Sequence, residues 1–426
     1  MNQWSLNFLR FFRYTSRVIA TRLQARYPFD HVLGITIVGL AIFGLIMISS
    51  ASVYESYQVY VRQGIDCGAL DANCNDFYFW RQVRNIAIAI PFGLIAAAIP
   101  YLFWRKAALS LFVVSILLLI ALFIPGLSTG WGTSQSWLNI PILSSIQPVE
   151  IAKLGLIFYL ARWMEGRSDA IATVENGFIP FAVILGIVAF LLILQPDFGS
   201  VLVMTLIATA IYYAAGARLK HIVVGGLIAG TLAVLVVGLG GMDYVKNRFA
   251  AFIDPSLDPE GIGFQVKQSL IAVGKGGIFG AGLEGATQRF GYLPEVQSDA
   301  IYAATSEAFG FFGSVILAGF FLLIAYRGFR IAANVPDRFG QLVAVGLSAA
   351  LVGQAFVHIG VNIAIVPYTG ITLPFVSYGG SSLATSFVIG GILLNISKFA
   401  NIHSANFYRE QNLSTRETRR QLRSRI

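Results

Sequence analysis

The sequence predicts an all-α polytopic membrane protein with ten transmembrane helices, and three observations support this class. Of the 426 residues, 56% are hydrophobic and only 12% are charged, whereas a soluble domain carries about 25% charged residues. The longer apolar runs are continuous and about 18 to 22 residues long, the length that a helix needs to cross a bilayer. Transmembrane strands would instead alternate polar and apolar residues over about 10 positions.

The chain begins and ends with basic polar segments. Residues 1–30 are basic and aromatic, and we interpret them as a cytoplasmic segment that anchors as an amphipathic helix at the membrane surface. A cleaved signal peptide is disfavoured because no short apolar core with a small-residue cleavage site follows. The Arg-rich tail at 399–426 is predicted to be cytoplasmic and disordered. The membrane domain then occupies residues 31–398.

Ten apolar segments separated by polar loops form this domain. They cover about residues 31–52, 84–103, 107–124, 151–161, 177–194, 201–215, 221–241, 303–326, 341–362 and 383–396. Lys and Arg concentrate in both termini and in every second loop, so both termini are predicted to face the cytoplasm. The large polar interval at 242–306, between spans 7 and 8, is then extracytoplasmic.

Charge and cysteine usage narrow the functional class. The Lys and Arg residues that give the net charge of +9 lie mainly in the termini and loops predicted to be cytoplasmic. They are not gathered on one face of a soluble domain, so nucleic-acid binding is not predicted. The two cysteines, Cys67 and Cys74, fall in one outer loop. That compartment permits a disulfide, and two free thiols are the open alternative. No His lies near them, so a zinc site is not predicted.

The interval 242–306 is predicted to carry the chemistry, because long exposed loops between membrane helices are usually functional. A carboxylate where water meets apolar walls can have a raised pKa and act as a general base. If a helix begins at Pro294, one face of it carries Glu295, Asp299, Tyr302 and Ser306. The alternative is that these acidic residues only stabilise the start of the helix by interacting with its dipole.

A glycine-rich motif, "GKGGIFGAG" at 274–282, lies in the same interval. It is not a Walker A motif, because Lys275 is followed by Gly276 and not by Ser or Thr. Its backbone N–H groups could form an anion-binding nest. A flexible outer loop is the alternative, and the sequence does not separate the two.

Four further residues carry ionisable groups at spans. Glu150 and Lys153 stand three residues apart at the outer start of span 4, hence on one helical face. They form either an intrahelical ion pair at the interface or a charged cavity wall for an anionic headgroup. Asp197, after Pro196, predicts a helix N-cap. His358 in span 9 is predicted to be packed or hydrogen-bonded and not a ligand.

Five long motifs in fixed order resemble the SEDS family of bacterial membrane proteins, of the FtsW, RodA and SpoVE type. They are "QPVEIAKL" (147–154), "QPDFGS" (195–200), "RFAAFIDPSLDPEGIGFQVKQSLIAVGKGGIFGAGL" (248–283), "YLPEVQSDAIYAATSEAFG" (292–310) and "GITLPFVSYGGSS" (370–382). The resemblance covers about residues 32–398. "SSAS" (49–52) and "GLEGATQRFGYLPE" (282–295) are more similar to the division-type FtsW branch than to the elongation-type RodA branch.

This resemblance implies a peptidoglycan glycosyltransferase that polymerises lipid II at the outer face of the bacterial cytoplasmic membrane, in septal wall synthesis. It implies as partners lipid II, the nascent glycan strand, membrane lipid, a class B penicillin-binding protein of the FtsI type and other divisome membrane proteins. The catalytic Asp of the family falls on Asp299, and its motif Glu and Lys fall on Glu150 and Lys153. Its "SYGGSS" residues fall on 377–382, which include Ser377 and Ser381.

The chain departs from the usual family pattern at several positions. Gln297 and Ser298 replace His and Thr before the Asp, and Ala308 replaces a second Glu. Common basic residues are missing at Ser136 and Thr369, and His358 stands where Asn is frequent. Fewer cations then remain to hold a diphosphate. This affects the assignment of the donor site more than the assignment of the catalytic Asp299.

The expected reaction inverts the anomeric centre of the donor, so one base must deprotonate the acceptor hydroxyl. We predict Asp299 as this base, with Glu150, Glu295, Ser377 and Ser381 among the substrate-binding residues. Lys153, Lys267, Lys275 or a divalent cation such as Mg²⁺ would offset charge on the departing diphosphate. Two alternatives stay open: a lipid II flippase, and a non-catalytic scaffold that activates a penicillin-binding protein.

Overall fold

The computed structural model describes residues 27–65, 74–131, 134–140, 144–238, 243–287 and 290–400. The predicted terminal segments 1–30 and 399–426 lie almost entirely outside these ranges. The helices are α1 His31–Ala51, α2 Val53–Arg62, α3 Phe77–Ala98, α4 Leu102–Ala121, α5 Pro148–Met164, α6 Ser168–Ile171, α7 Ile179–Leu194, α8 Phe198–Ala214, α9 Leu219–Gly238, α10 Asp243–Ile253, α11 Ile262–Gly276, α12 Gly282–Gly285, α13 Ile301–Asn334, α14 Arg338–Asn362 and α15 Gly380–Ser397. A π-helical turn covers Val174–Phe178, and a 3-10 turn covers Pro255–Leu257.

The structure is that of a multi-pass membrane protein. Within the described ranges, six helices are long and apolar enough to cross a membrane: His31–Ala51, Leu102–Ala121, Val174–Leu194, Ile301–Asn334, Arg338–Asn362 and Gly380–Ser397. Helices α3, α5, α8 and α9 occupy the other four predicted spans. Both α5 and α8 have 17 residues, at the short end of the roughly 17–25 that a span needs.

Close backbone contacts at small residues hold the bundle together, as is common between membrane helices. A Cβ at Gly391 of α15 would lie 2.1 Å from the carbonyl oxygen of Gly93 in α3. Likewise a Cβ at Gly155 of α5 would lie 2.8 Å from Ser115 Oγ in α4. Helices α14 and α15 form the centre of the bundle, since 72% of the apolar segment of each is buried. In α4 only 17% of the corresponding segment is buried.

Polar contacts join distant segments at the predicted cytoplasmic end. Arg327, in the last part of α13, pairs with Asp30 at 2.6 Å. Asp30 also caps α1, since its Oδ1 accepts from the Leu33 N–H at 3.0 Å. The Tyr101 hydroxyl donates to the carboxylate of Asp337, the N-cap residue of α14. These contacts fix the helix ends on the side opposite to the large polar interval.

A small antiparallel sheet, absent from the predicted elements, fills the loop between α4 and α5. Its strands are β1 Ser128–Trp131, β2 Ser134–Ile140 and β3 Ser144–Ile146, in the order β1-β2-β3. Strands of three to seven residues contain too few alternating positions to be told from a loop by periodicity. In the loop between α2 and α3, Cys74 is buried and disulfide-bonded, and Cys67 lies outside the described residues.

Helix α13 consists of two helical segments that meet at Gly310, where φ is 66° and ψ is −162°. The glycine-rich motif docks into this break: the Ala281 N–H donates to the Glu307 carbonyl at 2.9 Å, and the Phe311 N–H donates to the Gly277 carbonyl at 2.9 Å. A Cβ at Gly310 would lie 2.3 Å from the backbone nitrogen of Gly280. The glycines therefore allow the two backbones to pack closely. Neither of the two predictions for this motif, an anion-binding nest or a flexible loop, included this contact.

Candidate functional site

The turn that precedes α13 places Asp299 differently from the predicted helical face. Helix α13 begins at Ile301, and Glu295 has a positive φ of 48°. The Glu295 carbonyl accepts the N–H groups of Ser298 and Asp299, both at 3.0 Å. The prediction of a continuous helix from Pro294 is therefore wrong, because the left-handed backbone at Glu295 interrupts it.

The side chains of Tyr368 and Asn362 hold Asp299 in this turn. The Tyr368 hydroxyl donates to Asp299 Oδ2 at 2.8 Å. The same hydroxyl oxygen accepts from Gln265 Nε2 of α11 at 2.7 Å. On the backbone, Asn362 Nδ2 donates to the Asp299 carbonyl at 3.0 Å. Asp299 is therefore fixed by α11, by the end of α14 and by the loop that follows it.

Opposing effects set the proton affinity of Asp299. Burial raises its pKa, the hydrogen bond from Tyr368 lowers it, and the neighbouring Glu295 charge raises it again. Ser298 and the Arg248 guanidinium lower it, and the resulting pKa is about 6. The side chain stays partly exposed, so a ligand can reach it. A carboxylate with this pKa is largely ionised near neutral pH and can accept a proton from a bound hydroxyl.

Arg248 joins this site to a second carboxylate. Its Nη1 donates to the Tyr368 carbonyl at 2.9 Å. Burial lowers its pKa, and Tyr368, Asp197 and Asp299 raise it. Asp197 caps α8, because its Oδ1 accepts from the Ser200 N–H at 3.0 Å, which confirms the predicted N-cap. Burial raises the pKa of Asp197, while Ser200, Arg248 and Lys153 lower it.

The predicted pair Glu150 and Lys153 is a buried ion pair. Lys153 Nζ lies 2.8 Å from Glu150 Oε2, and both side chains are 7% exposed. Lys153 Nζ also donates to Gln354 Oε1 at 2.7 Å. Gln354 in turn donates to the Thr372 carbonyl at 2.9 Å. The ion-pair interpretation is therefore correct, but the pair lies inside the bundle and is tied to the 370–382 loop.

Two serines of the "SYGGSS" motif make hydrogen bonds to distant segments, and one of them supports the turn that carries Asp299. Ser377 Oγ donates to the Ser298 carbonyl at 2.7 Å and accepts from the Leu373 N–H at 2.8 Å. Ser377 is buried. Ser381 Oγ accepts from the Gln147 N–H at 3.2 Å, just before α5. In the structure, Ser377 therefore joins its loop to the turn of Asp299, and Ser381, in the first turn of α15, holds the residue before α5.

The structure does not bring the remaining predicted cations to Asp299. Lys267 is exposed on α11, and it lies two residues, or about 200° of helical rotation, from Gln265. Lys275 is exposed, and its Nζ donates to Thr287 Oγ1 at 2.9 Å. Thr287 in turn donates its N–H to Glu307 Oε1 at 2.9 Å, away from the Asp299 turn.

Three other predicted positions have defined surroundings. Glu295 is exposed, and its Oε2 accepts from Gln297 Nε2 at 3.2 Å. His358 is buried, with its Nδ1 2.6 Å from the Ile371 carbonyl, so the prediction of a packed, hydrogen-bonded residue is confirmed. Thr369, at a position where the family often has a cation, has a buried Oγ1 without a hydrogen-bond partner among the described residues.

Sequence reasoning missed Tyr368, Gln265 and the electrostatic role of Arg248. Arg248 and Gln265 lie inside a family motif and could have been found there, whereas nothing local to Tyr368 marks it. Metal ligation receives no support from the geometry: no three His, Cys, Asp or Glu side chains converge as metal ligands in the part of the chain that is described.

Taken together, the fold and this site define a multi-pass helical membrane protein with a hydrogen-bonded carboxylate, Asp299, at one end of its bundle. Residues 30–402 match the FtsW, RodA and SpoVE family, described as cell cycle proteins, and the chain belongs to this family. It is 38% identical over 377 residues to stage V sporulation protein E of Bacillus subtilis, covering 87% of this chain and 97% of the relative. It is 34% identical over 371 residues to the probable peptidoglycan glycosyltransferase FtsW of Geobacter sulfurreducens, covering 87% and 95%.

Solved structures support the same fold. A chain from a study of polymerization and crosslinking by a peptidoglycan synthase complex superposes with a TM-score of 0.70 at 24% identity, covering 87% of this chain and 97% of that one. The rod shape determining protein RodA of Thermus thermophilus superposes with a TM-score of 0.61 at 23% identity, covering 88% and 98%.

Proposed function

We propose that the protein is a peptidoglycan glycosyltransferase that polymerises lipid II into glycan strands, acting in septal wall synthesis. The observation that carries the proposal is the Asp299 carboxylate, partly exposed, held by Tyr368 at 2.8 Å and with a pKa of about 6. Support for the reaction class comes from relatives named peptidoglycan glycosyltransferase FtsW over 87% of this chain.

Asp299 acts as the general base in this mechanism. The hydroxyl oxygen of the acceptor sugar attacks the anomeric carbon of the donor, its proton passes to Asp299, and the carbon–oxygen bond to the diphosphate breaks on the opposite face. The anomeric centre is therefore inverted. Tyr368 holds the carboxylate of Asp299 and Asn362 holds its backbone carbonyl before the acceptor arrives, so little reorganisation is needed during the reaction.

The charge on the departing diphosphate must be offset by cations near the site. Arg248 is the cation that the geometry favours, because its charge already acts on Asp299 and Asp197. Lys153 is neutralised by Glu150 at 2.8 Å, so it contributes once the ion pair opens or the donor displaces Glu150. Lys267 and Lys275 would contribute only after movement of the outer loop. A divalent cation such as Mg²⁺ enters the proposal only as a counter-ion brought by the diphosphate.

The orientation and the partners belong to the same proposal. The chain crosses the bacterial cytoplasmic membrane ten times, with both termini inside and the 242–306 interval outside. This places Asp299 at the outer face, where the sugars of lipid II are in water and its lipid tail is in the bilayer. The partners are a class B penicillin-binding protein of the FtsI type and other divisome membrane proteins, together with the nascent strand.

The test is lipid II polymerisation by the purified protein with its cognate penicillin-binding protein, whose transpeptidase is blocked with a β-lactam. Asp299→Asn keeps the side-chain shape but removes the base, so glycan chains are expected from the wild type and not from this variant. Glu260→Gln, an exposed carboxylate of the same loop, is the matched control and should retain activity. Normal activity of Asp299→Asn would remove Asp299 from the role, and inactivity of an intact wild-type complex would favour the flippase or the scaffold.

A further inference from the structure

A cavity outside the Asp299 site lies where α4 begins and α5 ends. Its volume is about 420 Å³, and its walls include Leu109, Tyr159, Arg162, Trp163, Glu165 and Arg167. Ligand pockets in proteins typically measure about 300–1,000 Å³. The cavity is at the Arg-rich end of α5, a full helix length from Glu150, and so on the cytoplasmic side in the proposed orientation.

The polar wall of this cavity has excess positive charge. Its carboxylate, Glu165, pairs with Arg105 at 2.8 Å, which leaves Arg162 and Arg167 on the wall without an ion pair among the described residues. Arg162 Nη1 donates to the backbone carbonyl of Arg105, which fixes the direction of its guanidinium. The Arg167 guanidinium lies 5.6 Å from the centroid of the Trp163 ring, a cation–π distance. Two positioned guanidinium groups are suited to a phosphate.

The other wall is apolar and continues toward the membrane interior. The Tyr159 ring stacks on Phe112 of α4 with centroids 4.5 Å apart. Above the cavity, Leu109, Val113 and Leu117 are 55%, 46% and 58% exposed, and their spacing of four residues puts them along one face of α4. A ligand with an anionic headgroup beside the arginines and an acyl chain along this stripe would contact both walls at once.

We propose that this cavity binds one acidic phospholipid of the inner leaflet, with its phosphate between Arg162 and Arg167 and one acyl chain on the α4 stripe. The proposal rests on the orientation given above and not on polymerase activity. Basic pockets at the cytoplasmic ends of membrane helices attract anionic headgroups, and each Lys or Arg near such a surface contributes roughly fivefold in affinity. The bound lipid would hold the ends of α4 and α5 together on the side opposite to the catalytic turn.

The experiment is native mass spectrometry of the purified full-length protein in detergent, titrated with palmitoyl-oleoyl phosphatidylglycerol or with phosphatidylethanolamine of the same chains. The wild type should retain one phosphatidylglycerol about 25-fold more tightly than phosphatidylethanolamine, since two arginines contribute roughly fivefold each. The double variant Arg162→Gln, Arg167→Gln should lose about 25-fold in affinity for phosphatidylglycerol only. The matched control Arg218→Gln, Lys220→Gln removes the same charge from two exposed residues at the α8–α9 turn and should change the affinity less than about twofold.

Equal affinity of the wild type for the two lipids, or an equal loss in the control variant, would overturn the proposal. Soluble glycerol phosphate is added in a separate arm. Competition by it at the concentration of the lipid would identify a free-anion site and would also overturn the lipid assignment. If the double variant melts at a lower temperature than the wild type, Arg167→Gln alone replaces it, because the contact described for that side chain is the one with the Trp163 ring.

Discussion

Replacing Tyr368 with Phe removes one hydroxyl and, with it, the hydrogen bond that Asp299 Oδ2 accepts at 2.8 Å. This bond stabilises the ionised carboxylate, so the Tyr368→Phe variant should raise the pKa of Asp299 above its value of about 6. A hydrogen bond to a charged group contributes about 1.5–3 kcal/mol, and 1.36 kcal/mol corresponds to one pKa unit. Because Asp299 is partly exposed, water can replace part of the lost bond, and we expect a rise of about 1 unit.

The assay is the initial rate of lipid II polymerisation, measured between about pH 5 and pH 9 at limiting substrate. The acid limb of this profile reports the pKa of the essential base in the free enzyme. In Tyr368→Phe it should move up by about 1 pH unit, while the rate at high pH stays within a few-fold of the wild type. Tyr292→Phe removes an exposed hydroxyl from the 242–306 interval and should leave the acid limb in place.

Three outcomes would refute this reasoning. If the rate fell equally at every pH, Tyr368 would only support the local structure, and the hydrogen bond would not set the proton affinity of the base. If the acid limb moved to lower pH, the sign of the argument would be wrong. A limb that is absent from the wild-type profile over this range would show that Asp299 is not the titrating group.

Two further predictions concern the bundle. Lys153→Met should lower the melting temperature in detergent, because it leaves the Glu150 charge buried at a cost of about 3–5 kcal/mol. Adding Glu150→Gln should recover most of that loss, and a double variant as unstable as the single one would contradict the ion-pair account. Gly310→Ala should destabilise the fold by about 2 kcal/mol or more, since φ is 66° there and a Cβ would clash with Gly280. Gly319→Ala, whose Cβ would meet nothing within 4 Å, is its control, and equal melting of the two variants would argue against a strained break.

Local patterns in the sequence were sufficient for the helices. Each of the ten predicted spans coincides with a helix of the structure, because an apolar run of sufficient length in a bilayer satisfies its backbone hydrogen bonds only within itself. The N-cap at Asp197 followed from short-range chemistry in the same way. The family, and with it Asp299 as the candidate base, followed from motifs that are contiguous in the chain.

Contacts between distant segments required the tertiary structure. The hydrogen bond from Tyr368 to Asp299 spans 69 residues, and the one from Gln265 to Tyr368 spans 103. No local pattern encodes such a pair, since it depends on how α11, α14 and the loop after α14 pack. The same holds for the break at Gly310, because the sequence does not distinguish this glycine from many other small residues. By itself the sequence determined which segments form the long apolar helices and which carboxylate is the candidate base, because both depend on residues that are contiguous in the chain. Only the packing of those segments decided which groups surround that carboxylate and so set its affinity for a proton.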